Sequence, residues 1–391
     1  MFDFSIVTNW FDTLLRQTCG LSDFWAILIE CVLVGVIVLT AYALICIVLI
    51  FMERKVCAYF QCRVGPMRVG PWGIFQVFAD VVKMLIKEIF SVDRADKLLY
   101  YLAPILVMVA SVGTFSFLPF NKGMEVLDFN VGVFMITAVS SLGVIGIFMA
   151  GWASNNKYSV VSAMRGAVQL ISYEMSLGLC YITAVVFLGT MQMSGIVEAQ
   201  TGPWNWLIIQ GHVPACVAFL VFLIDGNAEA RQADGWFLFK GHIPALIAFV
   251  IYLIAGNAEA NRGPFDLAEA ESELTAGYHT EYSGMGFGFY YLAEYLNLFV
   301  IAGLAAGVFL GGWAPLNIGI EAFDNLMNLI PGFIWFFGKT FFLVFILMWI
   351  RWTFPRLRID QILKLEWKYL MPLMLLTLVV AAVCVAFGLT L

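Results

Sequence analysis

The chain has 391 residues, 62% of them hydrophobic and only 12% charged, with a net charge of −6. Soluble globular domains carry about 25% charged residues, so this composition excludes a soluble protein, and nothing in it points to a nucleic-acid partner. Unbroken apolar runs of 18 or more residues, instead of alternating strand patterns, predict an all-α polytopic membrane protein forming a single membrane domain over residues 1–391.

The N-terminal stretch MFDFSIVTNWFDTLLRQTCGLSDF lacks a basic segment followed by an apolar one, so no cleaved signal is expected. About eight transmembrane helices are predicted, at 24–51, 98–118, 131–153, 166–189, 236–255, 286–310, 331–351 and 369–389. An interfacial amphipathic helix is expected at 72–90. Phe75, Phe78, Val82, Leu85 and Ile89 form its apolar face, and Asp80, Lys83, Lys87 and Glu88 its polar one. Residues 211–230 and 241–260 form a tandem repeat, identical at thirteen of twenty positions. If both copies crossed the bilayer, residues 256–284 would change sides. The second copy is therefore expected to span and the first to be a non-spanning or re-entrant helix, made a poorer span by Gly211, Pro214, Asp225 and Glu229.

Sixteen of the 21 Lys and Arg residues lie in loops 52–97, 154–165, 256–284 and 351–368. The positive-inside rule places these loops in the cytoplasm and both termini on the periplasmic side of a bacterial inner membrane. Into that face opens the stretch GNAEANRGPFDLAEAESELTAGYHTEYS at 256–283, with six carboxylates: Glu259, Asp266, Glu269, Glu271, Glu273 and Glu281. Arg262 is its only permanent cation. Acids between membrane spans are costly and mark function by default. Helical spacing would put Asp266, Glu269 and Glu273 on one face, as in a proton relay or a charge-sensitive switch; the bland alternative is a solvated loop. Glu174, several residues inside the fourth span, is a second candidate, set against simple pairing with Lys339 or Arg165. Glu30 and Glu294 repeat the theme in the first and sixth spans.

Loop 52–71 concentrates Arg54, Lys55, Arg63 and Arg68 around two Gly-Pro turns, which read either as a headgroup anchor or as the lip of a cavity. The segment RWTFPRLRIDQ, with Arg351, Arg356 and Arg358, reads on its own as a basic anchor. The eight cysteines include no CxxC pair and are best explained as small buried hydrophobes. No nucleotide-, flavin- or metal-binding motif occurs.

Taken together, ERKVCAYFQCRVGP, SAMRGAVQLISYE, GNAEANRGPFDLAEAESELTAGYHTEYSG, LAEY and FPRLRIDQ closely resemble the H-subunit family of proton-pumping NADH:quinone oxidoreductase, respiratory complex I, whose mitochondrial homologue is subunit 1. The resemblance implies a membrane subunit that forms part of a quinone chamber and couples quinone reduction to proton translocation. It implies no redox cofactor on this chain, with FMN and iron–sulfur clusters on partner subunits and quinone as substrate. By motif position, Arg54, Lys55, Arg63, Asp80, Glu259, Arg262, Phe265 and Asp266 would serve the quinone region. Glu174, Glu269, Glu271, Glu273 and Glu281 would serve the proton path, and Arg351, Arg356 and Arg358 the junction with peripheral-arm subunits. A standalone ion transporter and a coupling subunit of a membrane-bound hydrogenase are the alternatives from the residues alone.

Overall fold

The computed structural model describes residues 12–14, 16, 22–201, 236–240, 242–269, 271–317 and 321–386, with backbone alone at 239, 240, 242, 271, 272, 321 and 322. The described residues are built from helices, and seven of these are long and apolar enough to cross a membrane. In chain order they are α1 (Asp23–Phe60), the amphipathic α2 (Phe75–Ile86), α3 (Lys97–Ser116), α4 (Gly132–Ala153) and α5 (Lys157–Leu188), followed by the short α6 (Met193–Glu198). After these come α7 (His242–Glu259), α8 (Met285–Phe309), α9 (Gly332–Thr353) and α10 (Ile359–Ala386). Among the described residues seven helices therefore reach spanning length where about eight were expected, and the shorter apolar α7 stands at the predicted fifth span. The second repeat copy forms α7, and the first copy lies outside the described residues.

Three helices overrun their predicted ends. At 1.5 Å per residue the 38 residues of α1 extend about 57 Å, far beyond an apolar core of about 30 Å. No helix breaker stands between Phe51 and Gln61, so the helix carries Glu53, Arg54 and Lys55 out of the apolar layer without a turn. Helix α5 begins nine residues earlier than expected, where the Asn156 side chain accepts the Tyr158 N–H at 3.0 Å, and stops at Gly189 in the left-handed conformation. Helix α10 runs through a widened turn at Leu365–Leu370. That turn lies just before Pro372, whose ring denies a helical partner to the carbonyl four residues earlier. The interfacial helix is shorter than predicted at both ends: Pro71–Gly73 form a separate turn before it, and Lys87 is extended after it. A Cβ at Gly73 would lie 2.1 Å from the Pro66 carbonyl oxygen, so this loop closes only on glycine.

Helix α8 is the hub. Its apolar stretch is 83% buried, against 22–50% for the other long helices. It packs on α3, α7 and α9, while α5 packs on α4, α7 and α10. Their shared core runs from Tyr42 and Cys46 through Tyr173, Leu177 and Tyr252 to Phe299, Phe309 and Phe336. The last turns of α1, α7 and α9 and the first turns of α5 and α8 meet at one end of the bundle, and there the charges gather.

Candidate functional site

The acidic stretch is not one helix. The described residues after Glu259 form turns, with a cis Gly263–Pro264 peptide and Asn261 at φ 49°, a short α-helix at Glu271–Leu274 and a single 3-10 turn at Gly277–His279. The expected common face of Asp266, Glu269 and Glu273 therefore does not form. Two hydrogen bonds pin the turn: Asn257 Nδ2 donates to the Gly263 carbonyl at 3.1 Å, and Leu357 N–H to the Pro264 carbonyl at 3.1 Å. From α5, Ser162 donates to the Ala268 carbonyl and Gln169 to the Ala258 carbonyl.

This scaffold buries Arg262, which is 2% exposed. Its Nη1 pairs with Glu53 of α1, and its Nε lies 2.8 Å from Glu294 Oε1 of α8, an ion pair off the N–H axis. The guanidinium stacks 4.1 Å from the Tyr295 ring centroid. The other oxygen of Glu53 accepts from Arg351 Nη1 at 2.5 Å. Two cations and two acids thus form one compensated cluster from four elements, as buried charges require. Arg262 is held as the cation because the attraction of Glu294 and Glu53 outweighs its loss of water.

Beside the cluster lies a cavity of about 460 Å³, lined by Glu53, Arg54, Arg63, Glu269, Arg351 and the aromatic ring of Tyr291, among others. Arg54 pairs with Asp80 of α2 at 2.5 Å, which ties the amphipathic helix to the cavity mouth. Lys55 instead donates to the Pro66 carbonyl at 2.8 Å and steadies the Gly-Pro loop. A second, smaller cavity of about 60 Å³ contains Glu174, Glu259 and Asn261. Neither alternative partner for Glu174 is found beside it. Ser140 donates to it at 3.4 Å, Arg165 pairs with Glu273, and Lys339 donates to the carbonyls of Leu310, Gly312 and Ala314 at the far end of the bundle.

The remaining expected residues separate. Phe265 is buried against Tyr173, with ring centroids 5.4 Å apart. The Asp266 carbonyl accepts from Arg356, while burial raises the pKa of its carboxyl against the pull of Arg356 and Arg351. Burial and the nearby Glu294 and Asp266 raise that of Glu269 well above the usual range, against the pull of Arg262 and Arg351. Glu273 is half-exposed beside Arg165 at 2.7 Å, which lowers its pKa. Glu281 accepts from Asn156 at 2.7 Å. Arg358 is exposed at the start of α10, and the Glu271 side chain lies outside the described residues.

Sequence reasoning passed over Glu53, the acid shared by both arginines, although an acid at the very close of an apolar run (IFMERK) was its signal. It also passed over His279. That imidazole is largely buried, with Nδ1 4.0 Å from Glu269 Oε1 and no hydrogen bond to Nδ1. Burial pushes its pKa down to about 4, so it is neutral.

These features define a class: a polytopic helical membrane protein with a compensated buried charge cluster beside a polar cavity. The sequence profile described as NADH dehydrogenase matches residues 33–234 and 227–382, two segments that overlap between the repeat copies. The chain is 60% identical to the NADH-quinone oxidoreductase H subunit of Bacteroides thetaiotaomicron over 99% of each chain. It is 61% identical to that of Phocaeicola vulgatus, over 100% of this chain and 99% of the relative. Its identity to the Rhodospirillum centenum protein of that name is 39%, over 85% and 87%. The chain belongs to the H-subunit family of NADH-quinone oxidoreductase and is a membrane subunit of that enzyme complex, complex I, with other complex I subunits as its partners.

Proposed function

We propose that the 460 Å³ cavity is the membrane part of a quinone chamber and that the acids beside it couple quinone reduction to proton movement. The observation that carries this reading is the compensated cluster of Arg262, Glu53, Glu294 and Arg351 at the cavity wall. A charge cluster balanced this closely responds to any charge that appears beside it, because the buried setting screens little. Quinone reduction in the cavity supplies such a change. The headgroup meets Arg54 and Arg63, and Tyr291 and Tyr295 offer ring faces and hydroxyls. Lys55 and Asp80 support the mouth, and Phe265 and Asp266 back the wall.

Glu269 then relays the change within the loop, and Glu259 and Glu174 receive it in the inner cavity. Glu271, Glu273 and Glu281 belong to the outer limb of the same loop. Arg351, Arg356 and Arg358 face the peripheral-arm subunits, where FMN and iron–sulfur centres would supply electrons, since this chain is proposed to bind no redox cofactor. The charged end of the bundle is assigned to the cytoplasm of a bacterial inner membrane, with both termini on the other side.

The test is E174Q and E269Q in the assembled membrane complex, with inhibitor-sensitive quinone reduction and proton translocation measured together. Lower proton translocation per electron supports the reading; wild-type values of both quantities in both variants refute it.

A further inference from the structure

The acidic loop doubles back on itself at a fixed point. Gly277 has φ +74°, and a Cβ there would lie 2.0 Å from the Ala268 carbonyl oxygen and 2.9 Å from the Glu269 Cα. Only glycine permits so close an approach in this conformation. The Ala268 carbonyl is itself held by Ser162 of α5. The turn Gly277–His279 is therefore pressed against Ala268 and Glu269, which brings a histidine to a partly buried acid ten residues earlier in sequence.

His279 is built to stay there. Tyr278 meets its ring edge-on at 4.9 Å, and Phe287 of α8 meets it at 5.0 Å. Its Nδ1 is buried and has no hydrogen-bond partner, and Glu269 Oε1 lies 4.0 Å away. That gap is about 1 Å longer than a hydrogen bond. A buried, unpartnered nitrogen costs free energy that one small closure would recover. Glu269 is also part of the wall of the 460 Å³ cavity, so this pair has one member in contact with the cavity and one behind it.

We propose that His279 is the proton partner of Glu269 in the coupling step, an assignment that rests on the proposed quinone and proton function of this loop. The Glu269 O–H bond breaks and a His279 Nδ1–H bond forms, giving an imidazolium–carboxylate pair; the return transfer restores both neutral groups. No electron is exchanged. The step needs the His279 tautomer with its hydrogen on Nε2, so that Nδ1 presents a lone pair. Burial, which pushes the His279 pKa down to about 4, keeps the imidazole neutral at rest and ready to accept.

The titratable groups around the imidazole have settled partners or no charge to offer. Tyr278 stands on its own turn, with Tyr290 of α8 5.2 Å behind it. On α5, Arg165 is engaged by Glu273. Helix α4 carries no titratable side chain. Asp266 and Glu294 also act on Glu269, and Arg262 and Arg351 oppose them. Ionisation of Glu269 therefore leaves His279 as the adjacent nitrogen base able to take the proton, alongside the carboxyls of Asp266 and Glu294.

The experiment compares H279N, H279Q and E269Q in the assembled complex, normalised to complex content, with quinone reduction and proton translocation followed from pH 5 to 9. Asn and Gln keep a polar side chain of similar reach and cannot titrate, so they separate proton transfer from packing. The expected result is a twofold or greater fall in protons moved per electron in H279N and H279Q, with the wild-type pH profile flattened. Impaired E269Q with wild-type ratio and pH profile in both histidine variants overturns the His279 assignment alone. Wild-type behaviour of E269Q as well overturns the underlying functional reading.

Discussion

Replacing Arg262 by Met keeps much of the side-chain volume and removes the charge, so it isolates the electrostatic role of the cluster. In the native site two cations, Arg262 and Arg351, face two acids, Glu53 and Glu294, and Arg262 and Glu53 are only 2% and 5% exposed. R262M leaves two acids with one cation in a place that water barely reaches. Breaking a buried pair by removing one partner costs about 3–5 kcal/mol. At about 1.4 kcal/mol per tenfold, that is a shift of two to three and a half orders of magnitude in the equilibrium between native and disrupted subunit. The double variant R262M/E294Q removes one acid and leaves the Glu53–Arg351 pair intact, so it should recover at least half of the loss. The assay is the fraction of subunit retained in the assembled complex after graded heating. Wild-type retention of R262M, or a double variant no better than the single one, refutes the charge-compensation argument.

Three further outcomes are expected. G277A should lose the doubled-back loop, because its φ of +74° and a 2.0 Å contact with a backbone carbonyl leave no room for a methyl group; subunit incorporation reports it. K339M should destabilise the far end of the bundle by about 3 kcal/mol or more, since it strands the three carbonyls the ammonium joins, each worth about 1–3 kcal/mol when left unpaired; thermal dissociation of the complex measures it. Burial, Asp128 and Glu198 raise the pKa of Glu125 to about 7 in the loop between α3 and α4. Between about 4.5 and 7 the folded loop holds a proton that the open loop has lost, so stability falls as pH rises through that window; amide protection over 122–131, taken relative to the intrinsic exchange rate at each pH, should fall from pH 5 to 8, and E125Q should remove the change.

The helices were legible because the bilayer demands unbroken apolar runs, and that signal survives in any context. Their ends were not, since nothing in ERKVCAY or in NNKYSVV tells a helix that the apolar layer has stopped. The identity of the site residues was half legible. Arg262 and the acids around it announce themselves as charges in an apolar chain, but periodicity gave a false face to Asp266, Glu269 and Glu273. That failure has a local cause: Gly263–Pro264 and Gly277 set turns that override the helical spacing between them. Partnership was not legible at all. Glu53 meets Arg262 across 209 residues of sequence and Arg351 across 298, and no local pattern encodes such separations.

The two cavities are joined through the Asn261–Arg262 step of the chain, and this decides how a signal crosses between them. Glu53 and Glu294, partners of Arg262, are in the wall of the larger one, while Asn261 is in the wall of the smaller one with Glu174 and Glu259. At an effective dielectric of about 20, a unit charge change 4 Å away is worth about 4 kcal/mol, enough to reposition a side chain without moving a helix. What turns that force into a change at Asn261 is the stiffness of the intervening turn. Asn257, 1% exposed, supplies it by donating to the Gly263 carbonyl while its own carbonyl accepts the Arg262 N–H at 3.3 Å. N257A deletes the side-chain strut and leaves every charge in place. It should lower proton translocation per electron about twofold while quinone reduction falls less, measured on the same membranes. An unchanged ratio would mean that the turn transmits nothing, and that the inner acids sense the larger cavity by another route.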